Sequence, residues 1–459
     1  MSKNSSVLLF FIAILLITAC DDISEPEVEP EMIVEPEMQA NSDNTTMNVF
    51  DGESDYIFDQ ERLHTFELTL PAEDLAKINA DPAAEEYVEG SLTFEGTTIS
   101  PVGIRYKGSI GAFVGCVAGR DWANPSGQKT CTKLSMKVKI NWNDPEARFY
   151  KLKKLQFHSQ NNDESQMHDR LGYWYFREMG VPAPRAVHAR LLVNGEYMGL
   201  FSLVEQIDGR FTRYNFEDGT GNLYKEIWPL SNNGQPFSEK EYIDELKTNE
   251  DESPTAEMIR QFAQDIVDAK GAEVQTTIKK WMDIDKIIAY AVVDRTIKND
   301  DGAFHWYCGG NSCAPHNFYW YEEPTTNKMH LIPWDLDHAF ANIIAPANPV
   351  TPIKDAWGEI TNDCAPFQNG FFGPQQRSAA CDKLTAGWAS FETEYKEFET
   401  SFINGPLSEA RTEEMLEKWT AQIRAATEEA ANTHGDAISV AEWERAVQTL
   451  RQQLTFARL

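Results

Sequence analysis

The spacing of apolar residues changes once along this chain, and that change limits the folds open to it. Up to about Glu205 apolar residues tend to recur at every second position, as in Thr65-Phe-Glu-Leu-Thr-Leu70. Such alternation predicts half-buried strands. From about Glu239 they recur at helical spacing. Strands gathered in one part and helices in the other predict an α+β protein rather than alternating βαβ units. Further strands are predicted at Ser91–Phe94, Val102–Tyr106 and Leu134–Trp142. Ala186–Val193 and Tyr197–Glu205 read as a hairpin turning at Asn194-Gly195, the strongest short hairpin signal. The same part holds a short helix over Pro71–Asn79, with proline at a favoured first position. It also holds an amphipathic helix, Gln166–Met179, with Leu171, Trp174, Tyr175 and Met179 on one face. The later part predicts helices at Pro254–Ala269, Val274–Met282, Asp285–Ile297, Asp382–Phe402, Ser408–His434 and Ser439–Phe456. Asp283 or Asp285 caps the third of these. No period of about 20–50 residues repeats.

Residues 1–19 fall outside this pattern. Lys3 precedes an apolar run, Val7–Ile17, too short to span a bilayer well. Ile17-Thr-Ala-Cys20 resembles a bacterial lipobox, which implies cleavage before Cys20 and a lipid on its sulfur. The chain is then expected at the bacterial cell envelope, lipid-anchored on the periplasmic side or at the cell surface, and in contact with the membrane through Cys20. Residues 20–55 read as a disordered tether. Between 21 and 55 lie twelve Asp and Glu and no Lys or Arg, and prolines in Glu25-Pro-Glu-Val-Glu-Pro-Glu31 separate repelling charges. Such a segment cannot bury enough apolar surface to fold. The remainder is long enough for two lobes, a strand-rich one over 56–235 and a mostly helical one over 236–459. The formal net charge is −31. A protein that tracks nucleic-acid phosphates should be basic, so no nucleic-acid partner is expected. Seven cysteines leave six once Cys20 carries lipid. An even count in an exported chain suggests disulfides. Short loops favour Cys116–Cys131, Cys308–Cys313 and Cys364–Cys381. Their spacings lack the Cys-x-x-Cys pairs of structural zinc.

The chemistry concentrates in His330-Leu-Ile-Pro-Trp-Asp-Leu-Asp-His-Ala-Phe340. A strand, Met329–Ile332, stops at Pro333 and presents Asp335 and Asp337. Two carboxylates in this position can face one hard cation such as Mg2+. The same residues also suit a turn with an Asp helix cap before Ala339. Upstream, Asn299-Asp300-Asp301-Gly302 leads to Asn317-Phe-Tyr-Trp-Tyr321; Asn-Asp-Asp-Gly is also good turn chemistry. Lys107-Gly108-Ser-Ile-Gly111 follows a strand, and its glycines let backbone N–H groups approach a phosphate, although the spacing is not that of a P-loop. Lys133 and Lys137 lie on or before the next strand, where either can reach phosphates or simply face solvent.

Taken together, Asn299-x-Asp301, Asn317-Phe-Tyr and Pro333-Trp-Asp-Leu-Asp337 resemble the spore coat protein H (CotH) kinase family. Val102-Gly-Ile-Arg-Tyr-Lys-Gly-Ser109, Lys133-Leu-Ser-Met-Lys137, Leu192–Glu205 and Gly221-Asn-Leu-Tyr-Lys225 follow in the family's order, so the resemblance spans about Phe66–Phe340. It implies an atypical protein-kinase-like, two-lobed fold with a strand-rich N-lobe and a mostly helical C-lobe. It also implies transfer of the ATP γ-phosphate to a Ser or Thr hydroxyl of a protein substrate, with Mg2+ (or Mn2+). By the same resemblance Asp301 is the catalytic base or orienter, with Asp300 as its alternative. Asn317 and Asp335 are metal ligands, supported or replaced by Asp337. Lys107, Gly108, Lys133 and Lys137 are candidates for the phosphates. Glu205 and Lys225 flank the join where the base would bind; a buried ion pair serves Glu205 equally well.

Two features depart from ordinary kinases. Fifteen residues separate Asp301 from Asn317, and neither His-Arg-Asp nor Asp-Phe-Gly occurs. No obvious helix glutamate pairs with a strand lysine, Glu164 being the nearest. The competing reading is a non-catalytic docking module of the cell envelope that keeps the kinase-like fold. Trp306, Tyr319, Trp320, Tyr321 and Trp334 would then be a stacking surface, or else core. A Gly-x-Ser-x-Gly hydrolase elbow is absent from the sequence.

Overall fold

A computed structural model of the chain describes residues 50, 52–113, 115–121, 124–250, 253–310, 312–344, 364–368 and 375–459. Cys20, the leader and most of the tether lie outside the described residues. The alternating segments form strands β1 (His64–Thr69), β2 (Val88–Phe94), β3 (Thr97–Tyr106), β4 (Met136–Lys139), β5 (Lys154–His158), β6 (Ala186–Val193) and β7 (Glu196–Val204). They close into a barrel in the order β1-β2-β3-β4-β5-β7-β6. Neighbours run antiparallel except β1 and β6, whose parallel pairing shuts the ring. One face of each strand fills the interior: Phe66, Leu68, Phe94, Ile104, Met136, Val138, Phe157 and Leu203 all belong to a single buried cluster. Asn194 and Gly195 turn the β6–β7 hairpin with φ of 51° and 82°, as the sequence predicts. Asn194 also stitches that hairpin to β1: its N–H donates to the Leu68 carbonyl and its Oδ1 accepts the Leu70 N–H.

Shorter strands follow at β8 (Leu223–Lys225), β9 (Trp306–Gly309), β10 (Ser312–Ala314), β11 (Phe318–Glu323), β12 (Lys328–Pro333), β13 (Phe367–Gln368) and β14 (Gln375–Arg377). They make one sheet in the order β12-β11-β8 and another in the order β10-β9-β14-β13. The helices among the described residues are α1 (Ala72–Ala80), α2 (Ile110–Phe113), α3 (His168–Glu178), α4 (Gly209–Asn215), α5 (Glu239–Ile243), α6 (Glu257–Asp268), α7 (Glu273–Trp281), α8 (Ile284–Thr296), α9 (Lys383–Ala389), α10 (Glu392–Asn404), α11 (Glu409–Thr433) and α12 (Val440–Ala457). α1 and α2 pack on the barrel's cluster through Ile78 and Phe113; the later helices, with β8, β11 and β12, surround a second apolar core, to which α3 contributes Leu171, Tyr173, Trp174, Tyr175 and Phe176. Among the described residues no helix is long and apolar enough to cross a membrane. Cys116–Cys131, Cys308–Cys313 and Cys364–Cys381 are disulfide-bonded, the pairing favoured by short loops.

Several boundaries shift for local reasons. Pro71 keeps an extended ψ of 142° and stands just before α1 rather than inside it. Asp283, not Asp285, caps α8, its side chain accepting the N–H groups of Asp285 and Lys286. The helix predicted over Asp382–Phe402 is two helices. Phe391 leaves helical geometry at ψ 54° and sinks its ring into the core. The strand predicted at Leu134–Trp142 keeps regular pairing only over β4, and β5 was not anticipated.

Candidate functional site

The site forms where β11 and β12 end. Phe318 pairs with Pro333 across these strands, which sets Asn317 beside Trp334; the Trp334 N–H donates to the Asn317 carbonyl at 3.1 Å. Asp335 follows in the left-handed region at φ 53°, its N–H bonded to the Tyr173 hydroxyl at 2.9 Å. Residues 337–344 form turns and bends, so neither acid caps a helix there. Gly172 lets α3 come close to this turn, because a Cβ on it would stand 2.8 Å from Leu336 Cδ1. The entry to α3 is braced by the C-terminal helices: Trp443 Nε1 donates to the Ser165 carbonyl and Thr427 to the Gln166 side chain.

The acids gather from three directions. Asn317 Nδ2 donates to Asp301 Oδ2 at 2.8 Å, and Asn162 Nδ2 to Asp337 Oδ2 at 3.1 Å. Burial and the neighbouring Asp337 push Asp335 up to about 8, with Asp169 and Asp301 adding to the effect and Lys107 opposing it. Burial works the same way on Asp337, yet His338 and the Asn162 hydrogen bond hold it below the usual carboxylate range. Near neutral pH the pair therefore carries about one negative charge. Burial raises Asp301 as well, against His338 and His316. His338, although partly desolvated, is raised to about 9 by Asp337, Asp301, Asp300 and Asp335.

This is a pocket short of positive charge, and its donors are hard oxygens. Among the described residues no trio of His, Cys, Asp or Glu is grouped tightly enough to hold a metal alone. Mg2+ is commonly held by one or two carboxylates and completed by water and substrate phosphate. Asp335 and Asp337, with the Asn317 amide nearby, fit that kind of shared site.

The cationic wall was only partly visible in the sequence. Lys107 Nζ lies 3.0 Å from His158 Nε2 and 5.3 Å from the centre of the Trp334 ring. His158 Nδ1 lies 3.2 Å from Asp169 Oδ2. Burial and the neighbouring Lys107 lower the His158 pKa, so the ring is neutral. Asp169 takes the place expected of a helix glutamate, while Glu164 is exposed. The available signal was an acid on the same face of α3 as Gly172, Tyr173 and Phe176, at i, i+3, i+4 and i+7.

The other candidates separate. Asp300 is fully buried; its side chain accepts from Asn342 and its carbonyl from the Tyr307 hydroxyl. Asp301, not Asp300, bonds Asn317. Lys137 is buried on the outer face of β4, opposite Met136 and Val138, and in register with Arg105 and Gln156. Lys133 is turned elsewhere: its Nζ donates to the Leu200 carbonyl at 2.6 Å, and burial lowers it to about 8. The Gly108 N–H donates to Glu85 Oε1 at 2.7 Å, and a Cβ there would meet Ala112 Cβ at 2.4 Å, so packing accounts for this glycine. Glu205 forms a buried two-point pair with Arg185, which also holds Asp55 and Ser54. Lys225 pairs across the sheet with Tyr319, whose ring meets Trp334 nearly edge-on at 5.9 Å. Trp306, Trp320 and Tyr321 are core.

Inner spore coat protein H of Bacillus subtilis (strain 168) is 22% identical over 193 residues, which is 40% of this chain and 49% of that protein. The chain thus spans about half the length of that relative. A structural comparison pairs it with the HipA, HipB and operator DNA complex of Shewanella oneidensis MR-1, at 13% identity and a TM-score of 0.25 over 71% of this chain and 62% of the other. That overlap is too poor to carry an argument. The profile described as CotH kinase protein matches residues 104–456, which take in Lys107, His158, Asp169, Asp301, Asn317, Asp335 and Asp337. A match of that extent over the whole site means that this chain belongs to the CotH kinase protein family.

Proposed function

We propose that the chain is an atypical protein kinase of the cell envelope, tethered through a lipid on Cys20. In this reading the barrel-containing N-lobe and the helical C-lobe close on ATP, and the γ-phosphate passes to a Ser or Thr hydroxyl of a protein substrate. The observation that carries it is the Asp301–Asn317 bond in the same charge cluster as Asp335 and Asp337, with Lys107 facing them. Phosphoryl transfer needs positioned phosphates, charge neutralisation and a group that orients the attacking hydroxyl. Lys107 is the cation on the phosphates, with Lys137 on the neighbouring strand. Asp301 orients the hydroxyl and takes its proton as that oxygen attacks the γ-phosphorus; ADP leaves with the bridging oxygen. Burial raises Asp301, which favours an acid acting as a base. Asn317 fixes the Asp301 carboxylate. Mg2+, held by Asp335 and Asp337, would supply charge neutralisation between the β- and γ-phosphates.

Mg-ATP titration of the full chain, followed by phosphate transfer, tests this. Asp335→Ala should lose binding and transfer together. Asp301→Ala should keep binding and lose transfer by about 10²-fold or more. A parent that binds no Mg-ATP would favour the docking-module reading. That reading already draws on two observations: the Gly108 N–H and Lys133 are engaged within the protein, which leaves fewer donors for phosphate.

A further inference from the structure

We propose that Tyr307, carried on the disulfide-closed β9–β10 hairpin, is the positioning residue that holds the Asp301 carboxylate toward the attacking hydroxyl. The inference rests on the kinase reading above and goes beyond it in giving the segment between Asp301 and Asn317 a task. Those fifteen residues are far more than the short catalytic loop of ordinary kinases contains. They run out along β9 and return along β10, with Tyr307 opposite Ala314 and Cys308 opposite Cys313. The Cys308–Cys313 disulfide ties these two strands together. On its other side β9 pairs with β14, which sets Gln376 opposite Tyr307. The hairpin is thus held from both sides, and it carries Tyr307 back to the turn that holds Asp300 and Asp301.

Tyr307 is buried, at 6% exposure. Its hydroxyl donates to the Asp300 carbonyl at 2.8 Å, which fixes the oxygen, and from there it also hydrogen-bonds the Asp301 carboxylate. The one hydrogen can point to either acceptor by rotation. Burial and the two acids push the phenol pKa up, so the hydroxyl keeps its hydrogen. Asn317 Nδ2 donates to the same carboxylate at 2.8 Å. The Tyr307 ring also braces the approach to Asn317, its centre 5.5 Å from that of His316 at a tilt of 37°. Asp301 is therefore held by two donors, one on β9 and one just before β11. A carboxylate with a single hydrogen bond can still swing about its side-chain torsions; a second donor from a separate strand removes that freedom. Orientation of this kind acts on rate rather than affinity, since a misplacement of about 1 Å at a reacting group is costly. Phenylalanine would fill the same space without the bond, so packing and positioning can be told apart.

Kinetics of the full chain with γ-labelled Mg-ATP, read as label passed to casein or to the chain itself, test the assignment. Tyr307→Phe should lower kcat about tenfold and leave the KM for ATP within about twofold of the parent, the pattern of a group that acts on the transfer step alone. In an Asp301→Ala background the same substitution should cost less than about twofold, because neighbours acting through one contact do not add. Opening the hairpin with Cys308→Ala and Cys313→Ala should lower kcat in the same way, and this pair replaces Tyr307→Phe in the cycle if that variant fails to fold. The parent's kcat in the variant, or an equal loss with and without Asp301, would overturn the assignment while leaving the kinase reading intact. A parent that transfers no label would overturn both.

Discussion

Asp335 has to take up a proton when the chain folds near neutral pH, and Asp335→Asn, which needs none, should stabilise the ligand-free protein. Burial and Asp337 raise Asp335 from 3.8 to about 8. Between those values the folded state binds more protons than the unfolded state, so stability falls as pH rises through the window. At about 1.4 kcal/mol per tenfold change in proton affinity, taking up that proton at pH 7 costs the fold at most about 4 kcal/mol. Water entry and side-chain relaxation return much of that, leaving roughly 1–2 kcal/mol for the substitution to recover. With an unfolding entropy of about 2.1 cal/mol/K per residue, a folded part of about 400 residues should melt some 1–3 °C higher. Calorimetry at pH 4.5, 6 and 7.5 checks both size and direction: the gain should be near zero at the lowest pH and grow upward. Mg-ATP should raise the melting temperature of the parent and leave the variant unmoved. A variant that melts lower than the parent, by the same amount at every pH, would show that Asp335 is held by packing and hydrogen bonds rather than opposed by charge.

Glu205→Gln should cost about 3 kcal/mol, since it strips a buried arginine of its closest counter-charge, and urea unfolding measures this; Mg-ATP affinity should not change. Asn194→Ala should cost about 1–2 kcal/mol in the same assay, because it loses the Leu70 contact and places a less tolerant residue at positive φ. Cys20→Ala should leave the protein unlipidated and in the soluble envelope fraction; lipid label and membrane partitioning retained by the variant would end the anchoring proposal.

The barrel strands and the Asn194-Gly195 turn were legible because period-two alternation and turn chemistry act locally. Its closure was not. The parallel β1–β6 pairing joins segments more than 120 residues apart, and no local pattern encodes it. β5 was missed because Lys154-Leu-Gln-Phe-His158 is short and enters between two basic residues and a polar loop. In the site, Asp301, Asn317, Asp335 and Asp337 stood out through motif order. His158 and Asp169 did not, since each is ordinary in its own segment and acquires meaning only when α3 is brought against β5. Gly108 misled in the opposite direction: a glycine after a strand suggests phosphate approach, yet here it accommodates the methyl group of Ala112.

The closed barrel has a consequence for how another polypeptide can be received. Among the described residues every barrel strand has a hydrogen-bonded neighbour on both sides, so the ring has no edge strand on which an extended peptide could add, a common way for domains to capture peptides. The outer side of β8 is also occupied, by Glu245 and Lys247. The open strand edges among the described residues are those of the smaller sheets, at β12, β10 and β13, so a segment held at the barrel would have to be gripped through its side chains instead. Against a chain of net charge −31, basic side chains are the ones favoured. Replacing Lys and Arg in such a segment should then weaken its capture strongly, whereas N-methylating its backbone should weaken it little.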